Sequence, residues 1–349
     1  MLKSFSNKAI ATKARAMYGA RVTAADCEEL VKKRSVGEVA AYLRDNTHYR
    51  EVLTQVDPSA IHRGQLENFL RSLSYIQYRR LIAFDFGQQS FYRYRYFRDE
   101  IQQVVNLLRY LSGKGQGQAS GQYDFHYDQR LADQTTYDLE KLVAVGSWRE
   151  LLEFFGDTPY GKILRRFPPD PSGQIDLMGC EQALSTYYYK WMLTAIDREF
   201  SGGAREALRK MAYERIDWEN LTQAYRLKRF FHSDEAFIRR SLLPFRTPSQ
   251  KVIDQLIGAG STQELHAILD RSGFVPEGQD TEDGFIESVA LIQREKQSRR
   301  DLRNSPYPAV VLQAYMTHLE IELEDLINII ESVRYGLPPE EIRSMLILS

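Results

Sequence analysis

Ser35-Val36-Gly37-Glu38, Ser147-Trp148-Arg149-Glu150 and Ser261-Thr262-Gln263-Glu264 are three versions of one phrase. Each is a Ser-x-x-Glu tetrapeptide, the pattern in which a serine hydroxyl and a glutamate carboxylate take up amides orphaned at a helix start. The frame around the second and third copies registers without a gap. Leu142 and Leu256 precede the serine; Phe155 and Leu269, Thr158 and Ser272, and Tyr160 and Phe274 follow it at matching offsets. The first copy follows with Leu30, Leu43, Thr47 and Tyr49, and needs one extra residue after Leu43. One capping box arises easily by chance, but three in one hydrophobic frame at nearly equal intervals are an internal repeat.

A second element recurs later in each copy. Glu100-Ile-Gln-Gln-Val104, Asp217-Trp-Glu-Asn-Leu221 and Glu322-Leu-Glu-Asp-Leu326 open on an acid and carry an aliphatic residue at the same later position. Tyr96, Tyr213 and Tyr315 precede them. Arg109 and Arg226 follow the first two acids at the same distance; Glu331 stands there in the third, with Arg334 just beyond. The simplest expectation is that Glu100, Asp217 and Glu322 complement the positive end of a helix, and that the arginines pair with acids a turn away on their own helices. The alternative is that equivalent helices converge and present charge to a partner. On that reading Arg109, Arg226, Glu100, Asp217 and Glu322 are the candidate partner-binding residues.

The apolar pattern is helical. Leu66, Phe69, Leu70, Leu73 and Ile76 form one stripe and Leu319, Leu323, Leu326, Ile327 and Ile330 another, both at the spacing of an amphipathic helix; sustained strand alternation is rare. The expected class is all-α, with three similar helical domains at 1–120, 121–242 and 243–349. The stretches Ser112–Gly121 and Phe167–Gly173, rich in glycine or proline, are expected linkers or loops, with a further break near Pro244–Pro248. Three similar units in one chain can close into a pseudo-threefold ring.

With 46 Lys+Arg against 47 Asp+Glu, the chain lacks the basic excess that accompanies nucleic-acid binding. Two cysteines without CxxC spacing give no disulfide framework and no zinc site. No signal-peptide core opens the sequence, and no run of eighteen uncharged apolar residues is long enough to span a bilayer. Gly113-Lys-Gly-Gln-Gly117 lacks the Gly-Lys-Ser/Thr ending and the preceding strand of a phosphate loop. The six histidines make no HExxH pair, and His318 with Glu320 and Glu322 reads as a solvated helix face. No nucleophile or metal cluster emerges, so neither catalysis nor a cofactor is expected. Phe91–Phe97 and Tyr187–Trp191 interleave aromatic and cationic residues in a way that can stack on bases, but in a near-neutral chain they read as helix-packing seams.

With these residues in view, the chain resembles the C subunit of V-type and archaeal-type rotary ATPases, known as the d subunit in eukaryotic enzymes. Ala14-Arg15-Ala16-Met17, the Ser-x-x-Glu frames with Asn46-Thr47-His48-Tyr49 and Asp157-Thr158-Pro159-Tyr160, Ile216–Leu221 and Gly336–Arg343 carry the resemblance, in order, over nearly the whole length. The third copy departs from it at Phe274 and Glu331. The resemblance implies a non-catalytic, funnel-shaped protein of three similar domains about a pseudo-threefold axis. It implies a place on the cytoplasmic face of the membrane rotor ring, where the funnel receives the D- and F-type subunits of the central stalk and couples ATP chemistry to proton or sodium transport. The competing expectation is a soluble helical-repeat adaptor unrelated to ion transport.

Overall fold

The computed structural model describes residues 2–83, 90–115, 134–275 and 286–348, and among them there are helices and no strands. In chain order the helices are α1 (Leu2–Gly19), α2 (Ala24–Leu30), α3 (Val36–Asn46), α4 (Arg50–Leu53), α5 (Arg63–Leu81) and α6 (Tyr94–Gly115). There follow α7 (Leu139–Val143), α8 (Trp148–Phe155), α9 (Pro159–Leu164), α10 (Leu177–Glu199) and α11 (Gly202–Arg229). The remainder are α12 (Glu235–Ser241), α13 (Gln250–Gly258), α14 (Thr262–Ser272), α15 (Ile286–Asn304), α16 (Pro308–Tyr335) and α17 (Pro339–Ser344). The all-α expectation holds.

The three Ser-x-x-Glu phrases open α3, α8 and α14 with nearly one backbone geometry. Ser35, Ser147 and Ser261 have φ/ψ of −150°/158°, −150°/160° and −148°/161°. Each serine Oγ accepts the amide of its glutamate, at 3.1, 3.3 and 3.2 Å. The glutamates reach one residue further back than in an ordinary capping box. They accept the amides of Arg34, Gly146 and Gly260, at 2.9, 2.8 and 2.8 Å. The same sequence thus produces the same local device three times.

The described chain forms two compact units, Met1–Asp85 with Glu287–Ser349, and Phe86–Ile286. In the first, α16 packs along α1 and α5 and also meets α3. Its core joins Leu30, Leu43, Leu66 and Leu70 from early in the chain to Leu326, Ile329 and Ile330 from its end. Burial on nearly every side explains the apolar richness of α16. Pro308 starts it where no amide is needed, and Gly336, in the left-handed region at φ 71°, ends it. The amides of Leu337 and Gly336 return to the carbonyls of Ser332 and Val333, a Schellman closure. In the second unit, α10 packs on α6 and α11, and α11 carries α12 and α13.

Several sequence expectations change in detail. Phe69, placed on the core stripe of α5, is 38% exposed, because the buried face runs through Leu66, Leu70, Leu73 and Gln77. Of the linker expected at 112–121, the part within the described residues is helical, since α6 continues to Gly115; the rest lies outside them. The aromatic and cationic run after Ser90 packs inward, with Phe91 through Tyr96 all buried.

Candidate functional site

The recurring acids do not open helices. Glu100 lies inside α6, Asp217 inside α11 and Glu322 inside α16, so the complement to a helix start does not apply. All three are interior, at 1, 3 and 1% exposure. A buried carboxyl requires partners, and for Glu100 and Glu322 these include a tyrosine of a repeated frame.

Glu100 Oε1 accepts the Tyr160 hydroxyl at 2.6 Å, and also that of Thr136, whose amide reaches Oε2 at 3.0 Å. Glu322 Oε2 accepts the Val22 amide at 2.8 Å, and the Tyr49 hydroxyl lies against the same carboxyl. Tyr160 and Tyr49 hold equivalent places in their frames, so in both cases an acid meets the frame that follows it, the last acid meeting the first frame. The third copy has Phe274 at this place, and Trp218, next to Asp217, packs edge-on against its ring at 5.1 Å. With no phenol there, Asp217 turns to Thr247 and Ser249, and its Oδ1 makes no well-aligned hydrogen bond.

Burial raises all three carboxyls above the usual range. For Glu100 the Thr136 and Tyr160 hydroxyls oppose the shift, and for Asp217 Thr247 and Ser249 do. Glu322 is pushed up to about 8 by burial, against the Val22 amide and Tyr49. It is therefore a neutral acid near neutrality. His48 matches this state. Its Nδ1 faces the Ala20 carbonyl at 3.0 Å, which places the ring proton there, and leaves Nε2 as an acceptor 3.3 Å from Glu322 Oε1. Burial holds His48 down to about 4.

His318 corrects the expectation of a solvated face: it is 1% exposed and contacts the buried Glu295 at 2.8 Å. Burial raises the Glu295 carboxyl, but His318 and Arg299 more than offset it, leaving it below the usual range. Asp325, pushed up to about 6 by burial, caps the chain end by accepting the amides of Ile347 and Leu348.

The arginines face outward. Arg109 has a 56% exposed side chain and pairs at 2.9 Å with Glu181 on α10, not with an acid on its own helix. It also lines a cleft of about 570 Å³ with Ser112, Asp170, Asp176 and Met178. Arg226 is exposed in the last turn of α11. Glu331, at the corresponding place in α16, pairs with Arg63. The five residues thus divide into three interior acids and two surface cations. Sequence reading missed His48, Thr136 and the phenols of Tyr49 and Tyr160 as the acids' partners. The signal was present, because each tyrosine holds a fixed place in a frame that also holds Thr47 or Thr158.

Among the described residues no group of His, Cys, Asp and Glu side chains is placed to hold a metal ion. Cys27 and Cys180 are buried, and burial pushes both thiols up to about 12, which makes them poor nucleophiles. No helix among the described residues is long and apolar enough to cross a membrane.

The family model of the ATP synthase (C/AC39) subunit matches residues 10–345. The chain belongs to this family. It is also 24% identical over 221 residues to the C subunit of the A-type ATP synthase of Methanosphaera stadtmanae, across 60% of this chain and 57% of that relative. The chain therefore spans little more than half the length of the curated C/AC39 relative it matches. A C/AC39 subunit is a component of V/A-type ATP synthases, and the acid-to-frame contacts above belong to its internal architecture.

Proposed function

We propose that this C/AC39 subunit is a non-catalytic part of the central rotor of a V/A-type ATPase. It is a socket on the cytoplasmic face that joins the D- and F-type stalk subunits to the membrane rotor ring, and so couples ATP turnover to proton or sodium transport. The observation that carries the reading is the match to the family over nearly the full chain, together with two buried acids, Glu100 and Glu322, each held by the tyrosine of a repeated frame. A torque-bearing part must be stiff. Interior carboxyls bonded to phenols and backbone amides lock helices in one arrangement, because breaking such a bond strands a buried polar group.

On this reading the three segments 1–120, 121–242 and 243–349 are similar domains about a pseudo-threefold axis, forming a funnel. The pairing of Glu100 with the frame that follows it, and of Glu322 with the first frame, supports this reading. Arg109 and Arg226, at equivalent places and on the surface, are the side chains that touch the stalk or ring, while Glu100, Asp217 and Glu322 fix the helices that present them. Affinity isolation of the tagged chain from gently solubilised membranes tests the proposal. Recovery of stalk subunits and ring is expected; a soluble chain free of both would refute it.

A further inference from the structure

The residue three places after the recurring acid is Asn220 on α11 and Asp325 on α16. Both are interior, at 3 and 1% exposure, and both bond to backbone past the end of their helix. Asn220 Oδ1 accepts the Leu243 amide at 2.7 Å and Asp325 Oδ2 accepts the Leu348 amide at 2.8 Å, across 23 residues of chain in each case. Asp325 also takes the Ile347 amide at 3.0 Å, and Asn220 Nδ2 donates to the Leu243 carbonyl at 3.1 Å. Gln103 holds this place in the first copy, and the residue at the same separation from it lies outside the described residues. Two copies of the repeat thus share a second device beside the capped helix.

On α11 the fastened backbone belongs to the strap from Leu242 to Ser249, between α12 and α13. Pro244 and Pro248 keep it out of a helix and bias Leu243 and Thr247 to extended backbone. Leu242, Leu243 and Thr247 are nevertheless buried, so their polar backbone groups need partners. Helices α10 and α11 supply them. Gln182 Nε2 donates to the Leu242 carbonyl at 2.8 Å, and Asp217 faces Thr247 and Ser249. Tyr189 packs edge-on against Phe245, with ring centroids 6.1 Å apart. The strap's own bond, from the Phe245 amide to the Leu243 carbonyl, leaves the Leu243 amide to Asn220. Asn220 therefore both accepts from and donates to one residue, as a neighbouring strand would.

Beyond the strap lie α13 and α14, the latter opened by the third Ser-x-x-Glu phrase. An extended segment turns freely about its single bonds unless its backbone is fixed, so load passes through it stiffly where a clamp holds it. We infer that Asn220 is a positioning residue for coupling, whose clamp on Leu243 makes α13 and α14 follow α11, and that Asp325 fastens Ile347 and Leu348 by the same device on α16. The inference rests on the rotary reading above.

Two measurements test it: hydrogen exchange of the full chain, and ion transport per ATP hydrolysed by the reconstituted ATPase. The variants are Asn220→Ala and Asn220→Asp, the second keeping an acceptor for the Leu243 amide but setting a carboxylate against its carbonyl. In Asn220→Ala the amides of 242–249 are expected to exchange about tenfold faster or more, and transport per ATP to fall while hydrolysis persists. Asn220→Asp should lie between this variant and the parent in both. Asp325→Ala should likewise speed exchange at Ile347 and Leu348. Exchange unchanged at either site overturns the shared clamp. Faster exchange at 242–249 with parental transport per ATP overturns the coupling role and leaves the rotary reading standing. A parent chain that does not enter the ATPase removes the rotary reading and the coupling role, and exchange alone then decides the clamp. Should Asn220→Ala fail to assemble, Asn220→Asp decides, and parental values in both measurements contradict the proposal.

Discussion

The Glu322 carboxyl accepts the Val22 amide at 2.8 Å, joining the helix near the end of the chain to the turn that follows its first helix. The bond is buried, and the same carboxyl faces His48 and Tyr49 from the first frame. Both parts of the Met1–Asp85 and Glu287–Ser349 unit thus meet at one buried carboxyl, which burial holds above the usual range.

That shift has a direction. The Glu322 carboxyl, at about 8 in the folded chain, lies above its ordinary value near 4.3 when unfolded. Between these values the folded state holds a proton that the unfolded state has lost, so this group's stabilising contribution is full below the unfolded value and declines as pH rises towards 8. Glu322→Gln keeps an acceptor for Val22 without the ionisation. Denaturant unfolding at a series of pH values should show the variant gaining on the parent as pH rises from 5 to 8, by an amount on the order of 3–4 kcal/mol. Parallel profiles would contradict the assignment.

Tyr160→Phe removes the phenol from Glu100 while leaving its ring among Tyr137, Phe155 and Tyr187. With one of its donors gone, the buried Glu100 should cost about 1–3 kcal/mol, read from the urea midpoint. The loss in the double variant Glu100→Gln/Tyr160→Phe should be smaller than the sum of the single losses, since the two groups are coupled.

Gly37 sits where a side chain has no room. A Cβ there would lie 2.3 Å from the Pro58 carbonyl oxygen. Gly37→Ala is expected to destabilise by about 1–3 kcal/mol despite its better helix propensity. Ser147→Ala, which removes only the exposed cap on Glu150, should cost about 1 kcal/mol. Thermal melts of the two variants give the comparison.

Arg109→Glu and Arg226→Glu leave the interior acids and their frames untouched. Each should fold with little loss of stability and weaken association with the stalk or ring. Binding indistinguishable from the parent in both variants would remove these arginines from the interface.

Much of this was legible in the amino-acid order because it is written in short-range chemistry. The Ser-x-x-Glu phrases act on amides within four residues, so their helices could be placed from sequence, down to three matching serine conformations. The acids were found by their recurrence, but their environment was misread. Glu100, Asp217 and Glu322 lie inside long helices, where nothing local distinguishes a solvated carboxyl from one whose partner lies far away in sequence. Glu322 and Val22 are 300 residues apart, and Arg109 and Glu181 are 72 apart.

The most direct test of the coupling role is ATP-driven ion transport in vesicles carrying the ATPase with this protein removed and then restored. The account expects ATP hydrolysis by the head to persist without it, transport to be lost, and its addition to recover transport. Transport that continues unchanged in its absence would contradict the account.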